Sequence, residues 1–470
     1  MPKRVRKTKQ LRPSYLPDTR SPASSSMFFA SSTKAGRESS FRSYSKAPRG
    51  AIRKFKSLTS SGVEAVLLLS PQLRLFNTMS GKKERFRPFK AGAVSMFVCG
   101  PTVQSRIHMG HARSYVFYDV LAAYLRHLGY RVEFLMNITD QDERITQAAQ
   151  AEGEDPVALA DRYAGAFRED MASLGCLGIT RFERVTSHVG AMISQVTALV
   201  EGGMAYVAGD WVYFDTSRFR RFGRLSHLSK EELSLRPLEL SPRKKNLNDF
   251  ALWRPEVLVE GRWQSPWGVG SPGWHVQDTA VTMQFLGDQY DIHGGAIELI
   301  YPHHEAQIAQ AESLTGKRPF VKYWVHTRHL NMGGRKMSKS TGNVLTVRDA
   351  LEKHSASELR LFLLGVHYRS EMDLSGLRRS SLRLKEMRRV AAAISDGLRE
   401  DMELKPGSMA GFEEAMNDDL DTPRAISWVE RTLERGARER TKDRRAEALA
   451  AAVAALKVLG VDLFEDTTKA

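Results

Sequence analysis

A chain of 470 residues, 42% hydrophobic and 26% charged, has the composition expected of a soluble protein with two or three domains. No stretch approaches the roughly 18 apolar residues of a membrane helix, and two cysteines, Cys99 and Cys176, exclude a disulfide scaffold and suit a reducing compartment. The net charge of +16 suggests a polyanionic partner, but residues 1–72 hold 15 Lys/Arg against three acids, which leaves the rest only about +4.

Residues 1–72 are rich in Ser, Arg and Lys and show no periodicity, which predicts a disordered extension. A mitochondrial transit peptide, a basic arm for RNA and a start placed too far upstream are three open readings of it. Residues 96–99 then read as a buried strand that ends at Gly100-Pro101. A helix over 111–128 follows, with Val116, Leu121, Leu125 and Leu128 at helical spacing, and Gly129 ends it. Residues 132–136 form a second strand, so the unit is βαβ and predicts a parallel sheet. The stretch 140–246 reads as a mainly helical insertion, and 247–345 as short strands, Gly/Pro turns and dense histidines. From residue 350 the pattern is helical, with a basic amphipathic run over 382–398 and further helices over 424–434 and 444–459.

Two motifs carry chemistry. His108-Met109-Gly110-His111 falls between the first strand and its helix, where unpaired N–H groups and the helix dipole attract phosphate. Its imidazoles add donors, and Gly110 lets a flat purine approach the backbone. Two helix-capping histidines are the plainer reading. Lys336-Met337-Ser338-Lys339-Ser340, with Gly333, Gly334 and Gly342 around it, suits a mobile loop whose lysines neutralise a departing pyrophosphate. A solvated basic loop is the plainer reading there. In this order, the two motifs resemble the paired signature of class I aminoacyl-tRNA synthetases. In that chemistry a carboxylate attacks the α-phosphorus of ATP in line, so positioning and cations dominate. His108 and His111 are then expected at the α-phosphate, and Lys336 and Lys339 on the pyrophosphate side.

Leu75-Phe76-Asn77-Thr78, Phe97-Val98-Cys99-Gly100-Pro101-Thr102-Val103 and Asn137-Ile138-Thr139-Asp140-Gln141-Asp142 are similar to segments of cysteinyl-tRNA synthetases. So are Asp249-Phe250-Ala251-Leu252-Trp253, Pro272-Gly273-Trp274-His275, Asp291-Ile292-His293-Gly294-Gly295, Tyr301-Pro302-His303-His304-Glu305 and Asp418-Asp419-Leu420-Asp421-Thr422-Pro423, all in family order. The resemblance covers about residues 74–460. It implies an α/β fold: a Rossmann-type catalytic domain over 73–349 with a connective insertion, then an α-helical tRNA-binding bundle over 350–470. It also implies ATP with Mg²⁺, tRNA-Cys, and cysteine or another small amino acid as partners of a cytoplasmic monomer, with no membrane. Mitochondria replace the cytoplasm if the extension is a transit peptide. Gly110, Gly294, Gly295, Glu298 and Lys339 match the ATP site, with Glu298 near the ribose. Cys99, Thr139 and Trp274 match the amino acid pocket.

The resemblance further implies Zn²⁺ on two Cys, a His and a Glu, which map here to Cys99, Asp278, His303 and Gln307. Two donors are thus changed, and Gln307 is neutral, so metal-bound and metal-free readings both stay open. The chain also stops at Ala470, where many bacterial members continue into a small anticodon-reading subdomain. A related amino-sugar ligase of mycothiol synthesis shares this outline without tRNA. Transfer to a small amine or carrier, and a non-catalytic RNA-binding role, therefore remain as rivals to aminoacylation. Arg378, Arg379, Arg383, Lys385, Arg388 and Arg389 offer tRNA a basic helix face, or are a solvated face.

Overall fold

The computed structural model describes residues 73–238, 241–255, 262–337, 344–396 and 404–464. The extension expected at 1–72 and the segment 338–343, with Lys339, lie outside the described residues.

A hairpin of β1 (Arg74–Asn77) and β2 (Lys82–Arg85) precedes the central strand β3 (Ala93–Val98). Helix α1 (Met109–His127) and strand β4 (Arg131–Ile138) complete the βαβ unit, and β3 and β4 pair in parallel. Helices α2 (Glu143–Glu152) and α3 (Pro156–Ser173) cross to β5 (Arg181–Arg184). After α4 (Val189–Glu201) come β6 (Ala205–Ala208), β7 (Trp211–Phe214), α5 (Lys230–Ser234), β8 (Phe250–Arg254), β9 (Trp263–Ser265) and β10 (Gly268–Pro272). These five strands form a separate antiparallel sheet in the order β6-β7-β8-β10-β9. The chain then returns through α6 (Trp274–Leu286), β11 (Tyr290–Ala296), α7 (Glu305–Thr315) and β12 (Val321–Thr327). The main sheet is parallel throughout, in the order β12-β11-β3-β4-β5.

The inserted region therefore differs from the stretch expected at 140–246. Helices α2 and α3 are the β4-to-β5 crossover, and the inserted sheet runs on to Pro272. Strand β5 gave no sequence signal because Arg181-Phe182-Glu183-Arg184 is a charged edge strand without apolar alternation. Alternation does set the faces of β3. Met96 and Val98 join the core shared with α1 and the C-terminal helices, while Phe97 and Cys99 join the core under the insertion.

Short strands β13 (Leu330–Met332) and β14 (Arg335–Lys336) form a hairpin over Gly333-Gly334, both at positive φ of 60° and 73°. Two such residues are what a tight two-residue hairpin needs, so these glycines build a turn ahead of the lysine segment, and the loop expected there falls mainly outside the described residues. Helices α8 (Val347–Leu351) and α9 (Ala356–Leu364), strand β15 (Met372–Asp373), and helices α10 (Leu377–Ser395), α11 (Ala410–Asn417), α12 (Thr422–Arg438) and α13 (Lys442–Leu459) complete the chain. No described helix is long and apolar enough to cross a membrane.

Two buried charges fasten these C-terminal helices to the sheet domain. Arg360 on α9, 1% exposed, pairs with Asp119 of α1 at 2.7 Å and donates to the carbonyls of Leu174 and Leu459. The Asp419 carboxylate accepts from Phe76 N of β1 at 2.7 Å, Tyr368 OH at 2.6 Å and Arg369 Nε at 2.7 Å. Both groups are satisfied by several partners, as buried charges require.

Candidate active site

Strands β3 and β11 are neighbours, but the chain leaves them toward opposite edges of the sheet. Such a switch point opens a crevice at the C-terminal strand ends, where ligands of α/β folds bind. A cavity of about 430 Å³ lies there, and Cys99, His108, His111, Trp274, Gly295 and Glu298 are among its walls.

The histidine motif begins α1. His108 is the N-cap: its Nδ1 accepts from Gly110 N at 3.0 Å, and its own amide donates to Nδ1 of His111 at 3.2 Å. The rings lie 3.9 Å apart. Because each Nδ1 acts as an acceptor, the neutral tautomer places the ring proton on Nε2, which makes it a donor. Capping and ligand binding are thus compatible. Gly110 serves the cap: a Cβ there would fall 2.7 Å from His108 Cε1, so an imidazole occupies the space expected for a purine.

Met337 of the lysine segment borders the same cavity. Met337 is buried against it, and beyond 343 the chain returns to the histidine motif through two main-chain bonds. Met109 N donates to Leu345 O at 2.9 Å, and Val347 N to Ile107 O at 3.0 Å. Lys336 sits on β14, upstream of Met337.

Arginines add positive charge. Arg106 is held by buried Asp170 at 2.8 Å and Arg144 by Asp142 at 2.8 Å, whereas Arg328 has no ion-pair partner among the described residues. Glu298 lies 3.3 Å from His329 Nδ1. Gly295 lines the cavity and leaves room for the His304 ring, since a Cβ would come within 2.8 Å of it. Gly294 instead packs under Tyr118, whose Cε1 would lie 2.4 Å from an added Cβ.

Below the cavity, all four mapped metal positions converge. Asp278 Oδ2 lies 3.2 Å from Cys99 Sγ, 2.9 Å from His303 Nε2 and 2.9 Å from the amide nitrogen of Gln307. Trp274 stacks on His303 at 4.6 Å and carries the Arg144 guanidinium at 5.7 Å. Thr139 lies behind the wall: its main chain pairs with Pro101 and Val103, and its hydroxyl meets Asn137 at 3.4 Å. Asn137 also donates to Asp278 Oδ1 at 2.9 Å.

Four histidines not singled out from the sequence join this cluster. His293 and His304 reach Cys99 Sγ through Nε2 at 3.4 and 3.2 Å. His275 meets His303 at 2.9 Å, and His326 meets His304 at 2.8 Å. His275, His293 and His304 stand in segments that carry the family resemblance, and only the density of histidine over 247–345 pointed to His326. Burial holds His275, His293 and His304 well below the imidazole range and His326 at about 3, so all four are neutral near pH 7. Burial, reinforced by the Asp278 charge, pushes the Cys99 thiol well above its ordinary value.

This donor set fits a metal ion. Asp278 Oδ2, His303 Nε2 and Gln307 Nε2 lie 2.9–3.0 Å from one another. With Asp278 ionised, these three contacts cannot all be hydrogen bonds. A proton on His303 Nε2 opposes the Gln307 N–H, and its absence sets two lone pairs against each other. The buried Gln307 Oε1 also has no partner. A cation among Cys99, Asp278 and His303 removes the conflict.

Residues 85–381 match the family described as tRNA synthetases class I (C) catalytic domain. The cysteine–tRNA ligase of Alkalilimnicola ehrlichii is 42% identical over 392 residues, 83% of this chain and 84% of that one. That of Geobacter metallireducens is 41% identical over 76% of each chain. Two solved structures share the fold at low identity. The methionyl-tRNA synthetase of Mycobacterium tuberculosis with methionyl-adenylate has TM-score 0.55 and 16% identity over 78% of this chain and 89% of that one. The LeuRS of Agrobacterium radiobacter K84, in a ternary complex with tRNA and LeuAMS, has TM-score 0.61 and 13% identity over 80% and 84%. A parallel sheet with its cavity at the switch point, the histidine motif and Met337 on that cavity and this extent of identity lead to one conclusion: the chain belongs to the cysteine–tRNA ligase family of class I tRNA synthetases.

Proposed function

We propose that the protein attaches cysteine to tRNA-Cys with ATP, through a cysteinyl-adenylate. The cysteine carboxylate attacks the α-phosphorus, the bond to the β-phosphate oxygen breaks, and pyrophosphate leaves with Mg²⁺. A terminal ribose hydroxyl of tRNA then attacks the adenylate carbonyl and releases AMP. His108 and His111 donate through Nε2 to the phosphate oxygens on which charge builds, and Lys336 and Lys339 neutralise the pyrophosphate. Glu298 holds the adenosine ribose. Cys99, Asp278 and His303 would hold a divalent metal, which when bound supplies a Lewis-acidic contact for a thiol side chain.

The observation that carries this reading is the pairing of Met109 N with Leu345 O, which joins the histidine motif to the downstream end of the lysine segment beside one cavity. Two free, buried cysteines are consistent with a reducing cytoplasm, where the protein acts as a monomer.

For tRNA, the exposed members of the basic face on α10 are Arg378, Arg379, Lys385 and Arg389. Arg383 is held by Glu430 through two bonds of 2.7 Å, and Arg388 donates to Asp462 O. The neighbouring helix adds exposed Arg431, Arg435 and Arg438. Pyrophosphate exchange with each of the twenty amino acids, followed by charging of tRNA, tests the function. Cysteine-dependent exchange and cysteinyl-tRNA are expected. Exchange with a different amino acid alone, or with none, overturns it.

A further inference from the structure

We infer that the metal site of this chain is closed by His304, so that its ligands are Cys99 Sγ, Asp278 Oδ2, His303 Nε2 and His304 Nε2, with Gln307 outside the coordination shell. This concerns the metal alone and stands whichever amino acid the enzyme activates.

The positions of the lone pairs support this set. Ligand atoms of Cys99, His303 and His304 all lie within 4.8 Å of one another, and all three residues are buried. Asp278 Oδ2 adds a fourth donor, 3.2 Å from Cys99 Sγ and 2.9 Å from His303 Nε2, and His304 Nε2 sits 3.2 Å from the same sulfur. Atoms about 3.0–3.5 Å apart span the edges of a tetrahedron whose centre lies about 2.0–2.3 Å from each, as zinc requires. Three of its six edges are in place, between Cys99 and Asp278, Cys99 and His304, and Asp278 and His303, and the site closes when the other pairs draw in around the ion.

Gln307 is the weaker candidate for the fourth place. It turns its amide nitrogen, a donor with no lone pair for a metal, toward Asp278 Oδ2. Imidazole is also the better zinc ligand of the two. As an outer group, Gln307 keeps a sensible task, because its N–H can donate to the ligating carboxylate.

Both imidazoles are held from behind, as metal-binding histidines usually are. His303 Nδ1 meets His275 Nδ1 at 2.9 Å. His304 Nδ1 meets His326 Nε2 at 2.8 Å, and His326 Nδ1 meets the Thr78 hydroxyl at 2.7 Å. A Gly295 without Cβ gives the His304 ring its place. Charge agrees too. A thiolate, a carboxylate and two neutral imidazoles sum to −2, which cancels a dication in a site with little solvent to share the burden. Binding the ion releases the Cys99 proton to water. Four protein donors leave a substrate sulfur only a fifth position.

Zinc-edge X-ray absorption of the wild-type protein, expressed in zinc-supplemented medium, tests this without any substitution. One sulfur and two imidazoles per zinc are expected. A single imidazole, or no stoichiometric metal, overturns the inference. Metal content and the visible spectrum of the Co²⁺-loaded protein give a second reading. His304→Ala should lose stoichiometric metal and the intense tetrahedral Co²⁺ bands, while Gln307→Ala should keep both. The reverse pattern overturns it.

Discussion

The main-chain amide of His108 donates to Nδ1 of His111, while Nδ1 of His108 accepts from Gly110, so the two histidines cap α1 with the atoms that the proposed phosphate contacts do not use. Capping and chemistry can therefore be separated. His108→Asn retains a capping acceptor but loses the ring donor, whereas His108→Ala loses both. Both are expected to slow cysteine-dependent pyrophosphate exchange about 10²-fold or more. Only the alanine variant should also lose about 1 kcal/mol of stability in urea. Near-normal exchange by the asparagine variant would reduce the imidazole's role to capping.

Arg360 couples α9 to α1, to the loop after α3 and to the end of α13. Arg360→Met leaves Asp119 as a buried, unpaired charge and should cost about 3–5 kcal/mol. Adding Asp119→Asn to that variant should recover part of the loss, because the orphaned charge disappears. Equilibrium denaturation of the single and double variants checks this. No recovery in the double variant means that packing, not charge, explains the loss.

The buried histidines give stability a pH dependence of definite sign. His275, His293 and His304 have folded values well below the unfolded value of about 6.5, and His326 lies at about 3. Between these limits the unfolded chain binds more protons. The contribution is complete above about pH 6.5 and is lost progressively as pH falls. In metal-free protein each such histidine should lower stability by about 1.4 kcal/mol per pH unit below about pH 6. A urea midpoint that stays constant from pH 7 to pH 5 contradicts this.

Among the described residues, Arg328 lines the cavity without the carboxylate partners that hold Arg106 and Arg144. A cation so placed suits an anionic ligand. Arg328→Ala should raise the KM for ATP about tenfold, the effect of about 1.4 kcal/mol, and change kcat by less than about threefold. A KM for ATP that does not move would remove Arg328 from nucleotide binding.

The βαβ unit and its first strand could be read in advance because each depends on local pattern, whereas the mapped metal positions came from the family resemblance. Alternation along β3 places Cys99 under the insertion. Burial on nearly every face of α1 follows from apolar residues all round it. Strand β5 was hidden by its charge, and the Gly333-Gly334 turn by the equal suitability of glycine for loops and hairpins. The histidine network was least legible. His275, His293, His304 and His326 come from four elements or turns, and only the packed sheet brings their rings together.

The Asp419 carboxylate receives the amide of Phe76 across a separation of 343 residues. That distance has a consequence for synthesis. The first hairpin leaves the ribosome long before its acceptor exists, and β1 cannot settle until nearly the whole chain has emerged. Final closure of β1 is thus a late event in synthesis, and early-emerging segments depend on late ones for their last bonds.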